Sequence, residues 1–408
     1  MPDLTKTIKL KLNVNQDQIE LLKTMTELYR QVCNSVSAYI FEHDFELSAN
    51  SLNHELYRDI RRQFGLKSQL TQSVFRTTTA RYKTVKKQLL QHPFKYKGED
   101  GKWHHINRTL EWLWRPIKFR RPQADLVRGR DYSFVDNGNM LSINTLEGRI
   151  KVTYESKHFS EYLNNKNWQL GTGKIVEYKG FWYIHIPVKG KVKEFTKNNV
   201  RHTVGIDRGL RFLAVSYDEQ GKTEFVSGRQ ILRKRSKFLK TRSQLQAKKT
   251  KSAMRALKRI SGRENRWMAD VNHQISKTLV EKYGPNTLFT IEDLSGVSFE
   301  ESNLSKTAKH NYEIRSWSFY QLEQFLIYKA HENCSKAIKV PAKYTSQRCP
   351  RCGAVCKEQR SHDTHEYICK CGYRSNDDRI GAMNIQVLGT RWASGEENPK
   401  FSKLTASE

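Results

Sequence analysis

Two closely spaced cysteine pairs near the C-terminus constrain the fold of this chain more than any other feature. Cys349 and Cys352 form the first pair and Cys369 and Cys371 form the second, with fewer than twenty residues between the pairs. Four thiolates on tight turns are the soft ligands that a closed, tetrahedral structural zinc site requires. The sequence therefore predicts Zn²⁺ bound by these four residues, with Cys356 as an alternative fourth ligand.

A disulfide pair in an exported protein is the other interpretation of these cysteines. The first residues, MPDLTKTIKL, do not resemble a secretory signal, so we expect a cytoplasmic protein and favour the metal site. The two remaining cysteines, Cys33 and Cys334, are expected to be buried apolar side chains.

The chain carries a large excess of positive charge. Its 408 residues have a formal net charge of +30, spread along the whole length. Such a charge indicates a polyanionic partner, and nucleic acid is the first candidate. An anionic membrane surface is the competitor, but no apolar run reaches membrane-spanning length and no segment combines a clean basic face with an apolar one. We therefore predict nucleic-acid binding and no membrane contact.

The N-terminal part combines one strand with a helical bundle. Residues Leu4 to Leu12 alternate in polarity, which predicts a half-buried strand. Asn15 can cap a helix that continues to about residue 42. Further helical patterns run over residues 52–64 and 67–90, and Gly65 separates them.

From about Trp114 the pattern changes to short alternating runs, which predict an antiparallel barrel or sandwich. Asp136-Asn137-Gly138 and Lys179-Gly180 are hairpin turn signals. The first strand has no partner in the helical part, so we expect it to join this sheet, with the helices inserted between. Aromatic residues lie among basic ones here, and core packing is favoured over base stacking for most of them, which include Trp112, Trp114, Phe119, Trp182 and Tyr183.

The longest basic run extends over residues 229–266, where Glu264 is the single acid. Such a run repels itself unless a partner neutralises it, so we predict a helical hairpin that lies along nucleic acid. The helical bundle offers a second basic set, for which an ordinary solvated face is the alternative. The candidate nucleic-acid-binding residues are Arg76, Arg81, Arg233, Lys234, Arg235, Lys237, Lys240, Arg242, Lys248 and Lys249.

Three acids stand at the ends of apolar elements. Asp207 ends a buried strand, Glu292 lies near the end of another, TLFTIEDL, and Asp378 opens a helix-like segment, DDRIGAMNI. A carboxylate in apolar surroundings is costly unless it binds a cation or a hydrogen-bond donor. If the three converge, they can hold two Mg²⁺ or Mn²⁺ ions for phosphodiester cleavage. The alternative for Asp207 is a turn residue before Gly209.

Several motifs resemble those of TnpB proteins of insertion sequences, the relatives of compact type V CRISPR effectors: GIDRGLRFLAV, IEDLSGV, SWSFYQLEQFLIYKA, YTSQRCPRCG and CGYRSNDDRIGAMNI. The resemblance implies an α+β multidomain protein with a wedge-like N-terminal β-barrel, an inserted helical bundle, an RNase H-like RuvC α/β domain and an inserted zinc ribbon. The expected boundaries are 1–12 and 110–198 for the barrel, 13–109 for the helical insert, 199–342 and 374–390 for the nuclease domain, 343–373 for the zinc ribbon, and 391–408 for a disordered tail.

The resemblance also implies a mechanism and partners. The catalytic triad of the family falls on Asp207, Glu292 and Asp378, and the barrel and helical insert would hold a guide RNA. We therefore predict a magnesium-dependent, RNA-guided endonuclease of an insertion sequence, which acts as a monomer with one RNA on double-stranded and single-stranded DNA, at the nucleoid of a bacterium or archaeon. The alternatives are a nuclease-inactive RNA-guided regulator, a transposase that moves DNA itself, and a CRISPR effector with the same chemistry.

Two positions depart from the family pattern. A single residue, Lys370, separates Cys369 from Cys371 where the family usually has two, which keeps Cys356 in consideration as a ligand. Gly381 stands where the family commonly has alanine. We expect this glycine to weaken its helix by about 1 kcal/mol and to touch no ligand.

Overall fold

The computed structural model describes residues 3–155, 159–163, 165–294, 319–361 and 364–402. The chain divides into two compact units, which we name the N-terminal unit (Thr5–Lys191) and the C-terminal unit (Val192–Glu408 together with Met1–Leu4). Both units combine helices with sheets, so the predicted α+β class is confirmed. Within the described ranges, no helix has the length and apolar character needed to cross a membrane.

The secondary structure follows the chain order of the two units. The first contains β1 (Asp3–Asn13), α1 (Gln16–Glu42), α2 (Ala49–Phe64), α3 (Ser68–Gln91), β2 (Phe94–Lys97), β3 (Trp103–Ile106), β4 (Gln123–Leu126), β5 (Tyr132–Val135), β6 (Met140–Asn144), β7 (Arg149–Glu155), α4 (Ser160–Leu163), β8 (Trp168–Leu170), β9 (Gly173–Tyr178) and β10 (Phe181–Lys191). The second contains β11 (His202–Asp207), β12 (Phe212–Tyr217), β13 (Thr223–Ser227), α5 (Arg229–Ala247), α6 (Lys251–Ile260), α7 (Arg263–Tyr283), β14 (Thr287–Asp293), α8 (Phe319–Glu332), β15 (Lys336–Pro341), β16 (Arg360–Ser361), β17 (Glu366–Ile368), β18 (Arg374–Asn376) and α9 (Asp377–Ala393).

The helical bundle forms where the sequence predicts it. The Asn15 side chain accepts a hydrogen bond from the Gln18 backbone at 2.9 Å, and the Gln18 side chain accepts one from the Asn15 backbone at 3.2 Å. This reciprocal pair starts α1 because it satisfies two backbone donors that the helix leaves unpaired. Gly65 ends α2 with a φ of 67°, a left-handed conformation that glycine adopts at little cost.

The large sheet of the N-terminal unit has the strand order β4-β9-β10-β1-β7-β6-β5, with β8 also paired to β10. Strand β1 pairs antiparallel with β7, as expected for a first strand that joins a later sheet. The sequence predicted an antiparallel barrel or sandwich, and the sheet is a half-barrel. After β4 the chain turns back tightly, held by the Asp131 carboxylate, which accepts a hydrogen bond from the Val127 backbone at 2.9 Å. The strands β4 and β5 are the two ends of the strand order, and among the described residues a single bridge, between Arg128 and Tyr132, forms at the turn that connects them.

The interleaved aromatic residues divide into two groups. Trp182 on β10 is buried, which confirms core packing for that residue. Trp112 and Trp114 are exposed, so core packing was wrong for these two. Strands β2 and β3 form a separate two-stranded sheet on which every residue is exposed.

The main sheet of the C-terminal unit has the order β13-β12-β11-β14-β15. Strands β11, β14 and β15 are parallel neighbours, β12 runs antiparallel to β11, and β13 runs antiparallel to β12. Val204 and Ile206 of β11 belong to a core shared with apolar residues of α7 and α8. Because neighbouring strand residues point to opposite faces, Gly205 faces the other side, where α9 packs. A Cβ at Gly205 would lie 2.2 Å from the Ala382 carbonyl oxygen, so only glycine permits this approach.

Three segments near the C-terminus complete the fold. Strands β16, β17 and β18 form a small antiparallel sheet, in which β16 and β17 precede the second cysteine pair and β18 lies between that pair and α9. The predicted disordered tail was wrong for residues 391–402, because α9 continues through Ala393 and Phe401 packs in a core with Val340 and Leu388. The first residues of the motif SWSFYQLEQFLIYKA, which include Trp317, lie outside the described residues.

Candidate functional site

The three predicted acids come together at one edge of the main sheet in the C-terminal unit. Strands β11 and β14 are parallel, and Ile206 pairs with Ile291, so the residues that follow them, Asp207 and Glu292, lie at the same end of adjacent strands. Asp378 lies in the first turn of α9, which packs against β11. The structure thus brings together three side chains that the sequence holds far apart.

The charges of these carboxylates act on one another. Burial raises the pKa of Asp207 well above its usual range, and the negative charges of Glu292 and Asp378 raise it further. Burial also raises the pKa of Glu292, while the hydrogen bond from the Thr345 hydroxyl opposes that increase. For Asp378, burial and then the neighbouring charge of Asp377 raise the pKa. Such a concentration of negative charge is expensive without a compensating cation.

One carboxylate oxygen of this cluster is available to bind a cation. Among the described residues, Asp378 Oδ2 is a buried atom with no hydrogen-bond partner. A buried carboxylate oxygen without a partner is destabilising, and a cation at this position would satisfy it. Carboxylate oxygens are the ligands that Mg²⁺ and Mn²⁺ prefer, so the residues present fit a divalent cation of this type.

Arg360 on β16 is a functional candidate that the sequence analysis missed. Its Nε donates to Asp377 Oδ2 at 3.0 Å, and its Nη2 lies 3.6 Å from Asp378 Oδ1. Its positive charge lowers the pKa of Asp207, Glu292 and Asp378. No pattern distinguishes this arginine in the polar run KEQRSHD, so its role could be found only in the folded structure.

Arg208 is a second residue that the sequence did not single out. Its side chain is buried, and Nη2 donates to the backbone oxygen of Glu292 at 2.6 Å. Nη1 donates to Glu323 Oε2 on α8 at 3.3 Å. Arg208 therefore ties the ends of β11 and β14 to α8, directly next to the acids.

Gly381 lies against the acid cluster, so the expectation that it touches no candidate ligand was wrong. A Cβ at this position would be 2.7 Å from Asp207 Oδ2. The glycine lets the first turns of α9 approach β11 closely enough for Asp378 and Asp207 to interact.

The four predicted cysteines also come together. The Sγ atoms of Cys349 and Cys371 are 3.7 Å apart, and those of Cys352 and Cys369 are 3.5 Å apart. All four sulfur atoms lie within 4.8 Å of one another. Tetrahedral zinc with Zn–S bonds of about 2.3 Å places its sulfurs about 3.8 Å apart, so the cluster is compatible with zinc. Cys356 is outside the cluster, and its thiol contacts Glu358 instead.

Hydrogen bonds around the cysteines connect them to the acid cluster. The Gln359 side chain donates to Cys369 Sγ at 3.4 Å and accepts from the Tyr367 hydroxyl at 2.6 Å. The next residue, Arg360, contacts the acids. The backbone N–H of Tyr373 lowers the pKa of Cys371 to about 7, which favours the thiolate form that binds metals.

The basic run at residues 229–266 forms the predicted helical hairpin, α5 and α6, and continues into α7. Arg235 is buried rather than exposed, and its Nε donates to Glu264 Oε1 at 3.3 Å. Arg242 also contacts Glu264, at 2.8 Å. Arg235 is thus placed in the interior and does not reach an exposed phosphate. The exposed candidates are Arg76 and Arg81 on α3, Arg233, Lys234, Lys237 and Lys240 on α5, and Lys248 and Lys249 after it.

Two protein-family models match this chain. Residues 185–296 match the OrfB_IS605 family model, described as a probable transposase, and residues 319–385 match the Cas12f1-like TNB domain. Both matches lie mainly in the C-terminal unit, which is therefore similar to a transposase family and to a Cas12f1 domain.

Individual proteins are also similar to this chain in sequence. The CRISPR-associated endodeoxyribonuclease Cas12f1 of Syntrophomonas palmitatica is 28% identical over 52% of this chain and 44% of its own length. A TnpB-like protein of Methanocaldococcus jannaschii is 29% identical over 49% of this chain and 71% of its own length. InsQ of Escherichia coli, whose name describes an RNA-guided DNA endonuclease, is 27% identical over 52% of this chain and 54% of its own length. The resemblance to the TnpB family is confirmed, and the match spans less than half of the Cas12f1 relative.

Proposed function

We propose that this chain is an RNA-guided DNA endonuclease of the RuvC type. The observation that carries the proposal is the convergence of Asp207, Glu292 and Asp378, where Asp378 Oδ2 has no hydrogen-bond partner within the described part of the chain. The relatives support it, because Cas12f1 is named an endodeoxyribonuclease and InsQ an RNA-guided DNA endonuclease. DNA cleavage by this chain, magnesium dependence and guidance by RNA are all parts of the proposal.

In this mechanism the chain's own residues build and orient the metal site. Asp207, Glu292 and Asp378 would hold Mg²⁺ or Mn²⁺, which when bound activates water and stabilises the leaving oxygen of a phosphodiester. Arg208 fixes the backbone of Glu292 through its 2.6 Å hydrogen bond, which sets the direction of that carboxylate. Arg360 holds Asp377 and contacts Asp378, and its charge would also attract the phosphate of a DNA strand.

The cysteine cluster would serve a structural role. Cys349, Cys352, Cys369 and Cys371 would bind one Zn²⁺ and order the small sheet β16–β18, because short segments rarely hold such turns without metal. This sheet carries Arg360, so the zinc would also support the acid site. On this basis we propose the barrel, helical insert, nuclease domain and zinc ribbon of the sequence analysis, without the disordered tail and with residues 343–373 as a ribbon that contacts target DNA.

The positive charge would serve the nucleic acids. The +30 charge is distributed over both units, which suits a structured guide RNA together with DNA. The exposed cations of α3, α5 and the segment after α5 would contact phosphates. Base pairing would select the DNA sequence, and the protein would read a short neighbouring motif as a monomer with one RNA.

One alternative has a specific observation in its favour. A second Cas12f1, from Sulfoacidibacillus thermotolerans, is 34% identical over 28% of this chain, so a CRISPR effector with the same chemistry is the second candidate. A nuclease-inactive regulator is less well supported, because all three acids are present and close together.

The proposal is tested by purifying the full chain, sequencing the RNA that co-purifies, and supplying that RNA with a new terminal segment. We expect Mg²⁺-dependent cleavage of DNA that is complementary to the new segment. Equal cleavage after RNase treatment and repurification would reject RNA guidance and leave an unguided nuclease.

A further inference from the structure

The β2–β3 hairpin is exposed, so packing in the core of the N-terminal unit does not account for its apolar side chains. Every residue of both strands is exposed, and the strands form a two-stranded sheet of their own. An isolated ribbon of this kind is at best marginally stable in water. It nevertheless carries large apolar side chains, with Phe94 48% exposed and Trp103 67% exposed. Contiguous exposed aromatic surface of this kind marks an interaction site.

One face of the hairpin is aromatic. The register pairs Phe94 with Ile106 and Tyr96 with His104, and directly paired residues share a face. The ring centroids of Phe94 and Tyr96 are 6.3 Å apart with planes 20° from parallel, and those of Tyr96 and His104 are 5.5 Å apart. Trp112 continues this row, with its ring 5.8 Å from Phe94. We name Trp112, Phe94, Tyr96 and His104 the aromatic strip.

The opposite face carries two lysines together with Trp103, which pairs with Lys97, and the following segment is basic. Lys95 and Lys97 alternate with the strip residues of β2 and therefore point to the other face. Acids are fewer in residues 92–121, where Glu99, Asp100 and Glu111 stand against a larger set of cations: Lys95, Lys97, Lys102, Arg108, Arg115, Lys118, Arg120 and Arg121.

Aromatic rings beside exposed cations are the chemistry of single-stranded nucleic-acid binding, in which bases stack on rings while cations contact phosphates. Residues two apart on a strand are separated by about 6.8 Å, twice the roughly 3.4 Å spacing of stacked bases. A base-paired duplex buries its base faces, so the strip would have no surface to stack on. An apolar protein partner would not contact the lysines and arginines of residues 92–121 with opposite charge.

We propose that the β2–β3 hairpin and Trp112 bind unpaired nucleotides of the guide RNA by base stacking on the aromatic strip, while Lys95 and Lys97, on the opposite face, contact the backbone of neighbouring nucleotides. This inference rests on the proposed function, which supplies an RNA that stays bound to the protein. The aromatic strip belongs to the N-terminal unit and is separate from the acid and cysteine clusters.

The test compares two double variants of the full chain, purified at high salt so that co-purifying RNA is removed. Phe94→Ala with Tyr96→Ala removes the strip, and Lys95→Gln with Lys97→Gln removes the charges. Phe181→Ala is the matched control, because Phe181 is 52% exposed on a different hairpin of the same unit. Binding of a labelled 12-nucleotide oligouridylate is measured over a range of salt concentrations, alongside oligothymidylate of equal length and double-stranded RNA.

We expect the strip variant to bind oligouridylate about 10- to 100-fold more weakly with an unchanged salt slope, because stacking involves no counterion release. The lysine variant should lower the slope of log K against log salt by about 1.4, two phosphates at about 0.7 each. The control should bind like the wild type, and replacing Phe94 and Tyr96 by tryptophan should restore affinity.

Unchanged oligouridylate binding by the strip variant would overturn the inference. So would an equal loss on double-stranded RNA, a greater loss on oligothymidylate, or a changed oligomeric state in gel filtration, which would point to a contact between copies of the chain. RNA-guided cleavage by the wild type is measured in parallel. Its absence counts against the proposed function, whereas wild-type cleavage together with unaffected binding by the strip variant counts against the aromatic strip alone.

Discussion

The cysteine cluster and the acid cluster lie in the same unit but are assembled in opposite ways. The four cysteines come from one short segment, and their sulfur atoms lie within 4.8 Å of one another. The three acids come from two strands and a helix far apart in sequence, and they meet only because β11 and β14 are parallel neighbours and α9 packs on β11. The cysteine cluster therefore depends on the folding of one short segment, whereas the acid cluster depends on the folding of the whole sheet.

The largest effect is expected at the acid cluster. Asp207→Ala, Glu292→Ala or Asp378→Ala should lower DNA cleavage about a thousandfold or more, a loss of about 4 kcal/mol of transition-state stabilisation, because each removes a metal ligand. Binding of RNA and DNA should persist, since phosphate contacts lie elsewhere.

Asp293→Ala is the matched control, because Asp293 adjoins Glu292 but contacts Lys339 at 3.3 Å. Cleavage measured under single-turnover conditions should stay close to the wild type in this variant. Cleavage that survives in Asp378→Ala would move the third ligand to Asp377.

At the cysteine cluster we expect a complete but local effect. Cys349→Ser or Cys371→Ser should abolish zinc binding and disorder the β16–β18 sheet, because the turns depend on the metal. Metal analysis should find one zinc per chain in the wild type and in Cys356→Ser. Full zinc content in Cys371→Ser with loss in Cys356→Ser would reverse the choice of fourth ligand.

The difference in assembly explains what the sequence could predict. Spacing identified the four cysteines, and the position of Asp207 inside an apolar run identified an unusual carboxylate. The contributions of Arg360 and Arg208 could not be predicted, because no sequence pattern marks Arg360 and because Arg208 contacts Glu292, which is distant in sequence. The sequence could not decide between a barrel and a sandwich for the N-terminal sheet, since strand patterns give pairing partners but not whether the edge strands meet. Arg235 looked like its exposed neighbours until the buried Glu264 beside it was known.

The stability of the strands and helix around the acid cluster should depend on the buried ion pair between Arg208 and Glu323. Glu323→Ala should lower the free energy of unfolding by about 3 kcal/mol, because it leaves the Arg208 charge buried without that carboxylate. Glu224→Ala, which breaks an exposed pair with Lys282, should cost less than about 1 kcal/mol. Urea unfolding of both variants decides this, and equal costs would contradict the structural role of Arg208.

The smallest effect tests the link between the two clusters. Arg360→Ala should reduce cleavage at least about tenfold, a loss of roughly 1.4 kcal/mol, while Arg360→Lys keeps the charge and should lose less. Zinc content should remain at one per chain in both variants, since Arg360 is not a ligand. Equal cleavage by Arg360→Ala and the wild type would show that the two clusters act independently.

The central claim is that the acid cluster cuts DNA chosen by a bound RNA. The most direct measurement programs the terminal segment of the co-purifying RNA against a new DNA and follows cleavage with Mg²⁺, using Asp207→Ala as the inactive control. We predict that the wild type cuts only the DNA complementary to the new segment and that the control cuts neither DNA. Cleavage that ignores the new RNA sequence, or that persists in Asp207→Ala, would contradict the account.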